Sequence, residues 1–215
     1  MKDGYFIIVG AGDIGEGDLP VKRSPGDFLC AADAGYRHLN AAGQQPDLLI
    51  GDFDSMEEPA SVSPPKIILP TVKDDTDTGY AVREGLRLGY RKFRIYGGAG
   101  GARLSHTIAN IQLLSWIREN GGEAELISGS TRLFIRSAGH IERFDAKTRG
   151  FISLFSLSES SEISIRGLFY PLDHGKLKRT WPLGVSNHFT GDPAEITVHS
   201  GEILIILEEE SHVPA

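Results

Sequence analysis

Apolar residues follow two different rhythms along this chain. Over the first 128 positions, short aliphatic or β-branched runs alternate with segments whose apolar residues recur at three-and-four spacing. The runs are 5–9 (YFIIV), 28–32 (FLCAA), 47–51 (DLLIG), 66–70 (KIILP), 92–97 (KFRIYG) and 124–128 (AELIS). Several are apolar without alternation, the pattern of parallel strands covered on both faces. The helix-period segments are 34–43, 77–89 and 106–120, and glycine ends the last two. Strand and helix in alternation predict a doubly wound α/β layer, a mostly parallel sheet with helices on both faces. Beyond Ser128 the rhythm changes to short strand-like runs separated by Gly, Ser and Asp turns, with no long helical segment. That texture predicts an antiparallel β-sandwich. The boundary falls near 128–130, giving an α/β domain over 1–128 and a β domain over 129–215. The terminal EEESHVPA reads as a frayed tail.

Composition narrows the functional classes. The chain of 215 residues can bury the cores of two small domains. Its net charge of −7 lacks the basic footprint of a nucleic-acid binder and disfavours an anionic membrane surface. An acidic enzyme can still bind phosphates if metal ions neutralise its carboxylates locally. The single cysteine, Cys30, sits in an apolar run and reads as a small buried hydrophobe. A chain with one thiol forms no internal disulfide, which fits a reducing cytoplasm. No stretch has the length of a membrane span, and the apolar run after Met1-Lys2-Asp3 is too short for a signal peptide.

Gly10-Ala11-Gly12-Asp13-Ile14-Gly15 matches the dinucleotide-binding pattern G-x-G-x-x-G. That motif needs a helix whose first amides hold a pyrophosphate. A helix from Gly12 would meet Gly17 and Pro20 at once, and an interior proline costs about 3 kcal/mol. A strand ending in a glycine turn accounts for the segment better than NAD binding does.

Acidic residues follow several of the expected strands, at the sheet edge where open α/β folds bind ligands. Asp33 follows the second run. Asp52 and Asp54 follow the third, two residues apart, so in extended chain both carboxylates project to one side. Close carboxylates repel unless a cation or proton lies between them. Oxygen-only ligands of this kind suit Mg²⁺, and no His/Cys group has zinc spacing. On this pair alone a polar turn remains the better explanation. The run Lys73-Asp74-Asp75-Thr76-Asp77 is more informative. Asp75 or Asp77 is expected to cap the following helix, but one cap does not require three aspartates. The excess suits a metal or a metal–polyphosphate complex, with Lys73 as counter-charge, phosphate contact or exposed side chain. Four glycines, Gly97, Gly98, Gly100 and Gly101, then precede the longest helix. Their amides can approach an anion and Arg103 can fork onto phosphate, although a loose turn capped by Ser105 fits equally well. There is no G-x-x-x-x-G-K-[ST], so this is not a P-loop enzyme.

Taken in order, AADAG, PDLLIGDFDS, KDDTD, GAGGARLSHTIANI, GLFYPL and GVSNH resemble the thiamine pyrophosphokinase family. The resemblance spans most of the chain and implies an α/β nucleotide-binding, catalytic domain followed by a thiamine-binding β-sandwich. It implies an enzyme that transfers diphosphate from ATP to the hydroxyl of thiamine, giving thiamine diphosphate and AMP. It also implies a homodimer whose thiamine pocket joins the α/β domain of one subunit to the β domain of the other. Carried over by motif, Asp52, Asp54 and Asp77 are the Mg²⁺ ligands, Asp74 and Thr76 support metal or ATP, and Asp33 and Ser55 line the same cleft. Arg103 and His106 orient the phosphates, while Ser186 and Asn187 hold the thiamine heterocycle. Trp181 adds an aromatic face for a cationic thiazolium, or else a buried core residue. The remaining histidines, His38, His140, His174, His199 and His212, sit in no cluster along the sequence.

The chain departs from the family pattern at three places. Where the family reads G-G-R-x-D-H, Ser105 replaces the acid that could orient or deprotonate the attacking hydroxyl. Phe169 replaces the lysine of G-L-K-Y-P-L, and His188 replaces the acid that often follows S-N. These departures keep two alternatives open: the same chemistry on another primary alcohol, such as a hydroxymethylpterin, and a nucleotide- or thiamine-binding homologue without turnover.

Overall fold

A computed structural model describes residues 1–15, 17–52, 64–100 and 103–210, and within its first part every strand pairs in parallel. These strands are β1 (Tyr5–Val9), β2 (Phe28–Ala32), β3 (Leu48–Gly51), β4 (Lys66–Ile68), β5 (Lys92–Tyr96) and β6 (Glu123–Ser128). They lie in the order β4-β3-β2-β1-β5-β6, so the winding reverses direction between β1 and β5. The helices are α1 (Gly35–Ala41), α2 (Asp77–Arg87) and α3 (Leu104–Glu119).

Uniform apolarity in β1, β2 and β3 reflects cover on both faces. On one face Ile7, Val9, Leu29, Ala31 and Leu49 pack with Tyr36 and Leu39 of α1. On the other, Phe6 stacks on Phe28 at 5.2 Å and meets Tyr90 edge-on at 5.5 Å. Helix α2 crosses this face at Gly85, where a Cβ would come within 2.6 Å of Phe93 Cε1 and 2.8 Å of Phe6 Cγ.

Contacts divide the chain into two units, Met1–Gly129 and Ser130–Ala215. The second unit holds β7 (Thr131–Ser137), β8 (Ile141–Phe144), β9 (Phe151–Ser156), β10 (Ser160–Arg166), β11 (Leu172–Lys178), β12 (Gly184–His188), β13 (Ala194–Ser200) and β14 (Glu202–Glu208). Within this unit β12-β9-β14-β7 and β11-β10-β13-β8 form two antiparallel layers. Alternate residues of both layers, among them Ile163, Ile165, Ile196, Val198, Ile203 and Ile205, meet in one core with Phe134 and Leu154. This is the expected sandwich.

Three details differ from the sequence expectations. Thr76, rather than an aspartate, caps α2, its hydroxyl accepting from Gly79 N–H at 3.0 Å. Helix α3 begins at Leu104, so Ser105 lies inside its first turn and caps nothing. Two histidines do cluster: His174 and His199 stack at 4.0 Å because β11 and β13 both flank β10, with Glu162 on the first ring and Ser164 on the second.

Gly85→Ala gives a test of the α2 contact by sign. At an exposed helical position this change gains about 1 kcal/mol, whereas crowding of a packed core costs about 1–3 kcal/mol. Urea unfolding is expected to reveal a net loss of about 1 kcal/mol or more.

Candidate active site

The carboxyl ends of the parallel strands open into a cleft of about 440 Å³. Ala11, Gly12 and Asp13 line it after β1, Asp33 after β2, and Gly97, Gly98 and Gly100 after β5. Lys73, Asp75, Thr76, Asp77 and Thr78 enter it around the start of α2, and Arg103, His106 and Asn110 around the start of α3. The site therefore straddles the β1/β5 reversal, where no crossover covers the sheet end.

Glycine lets the two loops at that reversal touch. A Cβ on Gly12 would lie 2.3 Å from the carbonyl oxygen of Gly97, and Gly97 itself has φ +66. This contact explains Gly12 without a dinucleotide, and Gly15 is explained by its own close approach to Gly129, whose Cα would lie 2.0 Å from an added Cβ. The first helix after β1 is α1, which follows β2, so no helix starts at Gly12 as that motif demands. Asn110 secures the second loop from below, its buried amide donating to Gly98 O at 2.7 Å.

The acids converge by different routes. Asp33 adopts φ +49 and its N–H donates to Ile50 O at 2.8 Å, tying the end of β2 to that of β3. Asp52 directly follows β3, and Asp77 is the first residue of α2, where the helix dipole favours a carboxylate. Between them sits Lys73 Nζ, 3.0 Å from Asp77 Oδ1 and 3.6 Å from Asp52 Oδ2. Burial alone would lower the Lys73 pKa, but its pairing with Asp77 and Asp52 holds it above the ordinary lysine range. Asp75 is engaged elsewhere, accepting from Thr76 N–H and pairing with Arg83, each at 2.7 Å.

Of the residues expected from sequence, Asp33, Thr76, Asp77, Arg103 and His106 line the cleft, and Asp52 joins them through Lys73. Asp54 and Ser55 lie outside the described residues. Asp74 is exposed, and neither it nor Ser105 lines the cleft. Asn110 and the Ala11–Asp13 turn were not anticipated. The available signal for Asn110 was its spacing from His106, four residues along one helix face. Asp52 and Asp77 facing one cationic point, with oxygen donors only, fit a hard divalent ion.

In the second unit Ser186 has φ +57, and its N–H donates to Ser153 Oγ at 3.1 Å. Asn187 is buried and clamps the backbone of Tyr170: Oδ1 accepts its N–H at 2.9 Å and Nδ2 donates to its carbonyl at 2.8 Å. The amide therefore shapes the Phe169–Tyr170 segment. Phe169 stacks on His188 at 4.4 Å, so two of the three departures from the family pattern form one contact. Trp181 is 68% exposed and takes no part in the core.

Two family models match the chain: the thiamin pyrophosphokinase catalytic domain over residues 24–126 and the thiamin pyrophosphokinase vitamin B1 binding domain over residues 141–203. The chain belongs to the thiamin pyrophosphokinase family. It is an enzyme of the thiamine diphosphokinase type.

Solved structures of the family share its fold. Thiamine pyrophosphokinase from Bacillus subtilis is 21% identical with a TM-score of 0.82, the match covering 96% of this chain and 100% of that one. The Geobacillus thermodenitrificans protein is 24% identical with a TM-score of 0.78, covering 97% and 99%. The Candida albicans protein is 16% identical with a TM-score of 0.80, covering 96% and 89%. No curated protein sequence matches the chain.

Asn187→Asp replaces the donor to the Tyr170 carbonyl with an acceptor. The buried mismatch is expected to lower stability by about 1–3 kcal/mol, measured by chemical denaturation.

Proposed function

We propose that the α/β unit binds ATP in the cleft and transfers its diphosphoryl group to the hydroxyl of thiamine, releasing thiamine diphosphate and AMP. The observation that carries this is the pair Asp52 and Asp77 around one cationic point, opposite Arg103, His106 and the glycine loops. Asp52 and Asp77 would hold Mg²⁺, joined by Asp54 according to the resemblance. When bound, the ion supplies neutralisation of charge on the migrating group.

Arg103 and His106 would orient the phosphates, with the glycine amides of the 97–100 loop as further donors. The thiamine oxygen forms its bond to the β-phosphorus as the bond from that phosphorus to the α,β-bridging oxygen breaks. AMP takes that bridging oxygen and its electron pair, and the hydroxyl proton passes to solvent. Ser105 is a poor base at neutral pH. General-base help is worth about 10²–10⁴-fold, so its loss slows a reaction that depends mainly on positioning and electrostatics.

Ser186, Trp181 and the Phe169–Tyr170 segment held by Asn187 would form the thiamine-binding face. Trp181, Leu183, Val185, Phe169 and Tyr170 are exposed, and a second copy of the chain would cover this apolar face in a homodimer. A cytoplasmic location belongs to the same proposal. Among the described residues no helix is long and apolar enough to cross a membrane.

Purified protein given ATP, MgCl₂ and thiamine is expected to form AMP and thiamine diphosphate in equal amounts. Asp77→Asn is expected to lower kcat/KM more than about a hundredfold. AMP release with a different primary alcohol but not with thiamine would assign another acceptor. Thiamine binding with no AMP from any acceptor would favour the binding homologue that Ser105 suggests. Sedimentation velocity is expected to give the mass of two chains.

A further inference from the structure

The transfer scheme leaves Lys73 without a task. Its side chain is 10% exposed, and its ammonium contacts Asp77 at 3.0 Å and Asp52 at 3.6 Å. It also lines the cleft. Arg83 already pairs with Asp75 at 2.7 Å, so Lys73 is left to balance Asp52 and Asp77.

We propose that Lys73 is a resident counter-cation: it holds Asp52 and Asp77 together before a divalent ion arrives, then yields that place and turns to the nucleotide phosphates. This rests on the Mg²⁺-dependent reading of the cleft. Two carboxylates brought to one point repel unless a cation separates them, and Lys73 supplies that cation from the protein itself. An ammonium and a divalent ion placed at the same point between two carboxylates repel each other. Mg²⁺ binds oxygen at about 2.0–2.1 Å and would repel a neighbouring positive charge. Lysine is suited to moving because its charge ends a flexible four-carbon stem, unlike the planar fork of arginine.

A displaced ammonium needs a new anion, and nucleotide phosphates in the same cleft provide it. Metal alone must therefore compete with Lys73, whereas metal and nucleotide together do not. Lys73 is thus a positioning residue that couples the binding of Mg²⁺ to the binding of nucleotide. The coupling is reciprocal, each ligand raising affinity for the other by the same factor.

The test compares wild type with Lys73→Met by calorimetric titration with MgCl₂, with and without α,β-methylene-ATP, alongside thermal unfolding. Lys73→Met is expected to unfold at a lower temperature without metal and to bind Mg²⁺ alone about tenfold more tightly than wild type. The gain in Mg²⁺ affinity caused by nucleotide is expected to shrink by about tenfold. Equal Mg²⁺ affinity in both proteins, with equal coupling to nucleotide, would overturn the role of Lys73 while leaving the metal site standing. If wild type binds no Mg²⁺ even with nucleotide, the metal reading itself fails. Should Lys73→Met show no unfolding transition in metal-free buffer, restoration by MgCl₂ supports the proposal, and continued absence of a transition contradicts it.

Discussion

Carboxylates gathered at one point repel unless a cation or proton lies between them, and in the first unit a lysine ammonium lies there. Asp52 ends β3, Asp77 begins α2, and Lys73 sits between their oxygens. The arrangement requires β3 and the start of α2 to be held at fixed separation. Parallel strands buried on both faces hold one side, and the Gly85 contact with Phe6 and Phe93 holds α2 against the sheet. Packing far from the cleft therefore sets the geometry of its charges.

The opposite wall depends on backbone proximity. Gly12 and Gly97 let the turns after β1 and β5 meet, and Asn110 fixes the second turn through Gly98. The glycine turns thus line the same cleft as Asp33, Lys73 and Asp77, at the reversal in strand order. In the proposed reaction one wall would hold a metal ion and the other a phosphate chain. In the second unit Asn187 does comparable work, fixing the Phe169–Tyr170 segment by its backbone and leaving the rings exposed.

The parallel strands were legible because burial on both faces leaves uninterrupted apolar runs, as in FLCAA. The sandwich strands with an inner and an outer face were legible from alternation. Strands β11 and β12 were not: LDHGKLK and GVSNH are edge strands with little buried apolar surface, and only their pairing partners make them strands. Thr76 and the neighbouring aspartates are comparable caps, so local chemistry could not choose among them. Asp75 was read as a candidate cap, and its pairing with Arg83, eight residues away on α2, had no local signal. The His174–His199 stack depends on strand register across β10, which no local pattern encodes. Lys73 was open between three roles, and only the fold shows it between two carboxylates.

In the proposed scheme Asp52 and Asp77 form one cation site that Lys73 occupies until metal and nucleotide enter. Anomalous diffraction from crystals grown with MnCl₂ and α,β-methylene-ATP tests it most directly. The expected result is a manganese peak in contact with oxygens of both aspartates and the Lys73 ammonium moved onto phosphate. A peak bounded by other residues, with Lys73 still bridging Asp52 and Asp77, would contradict it.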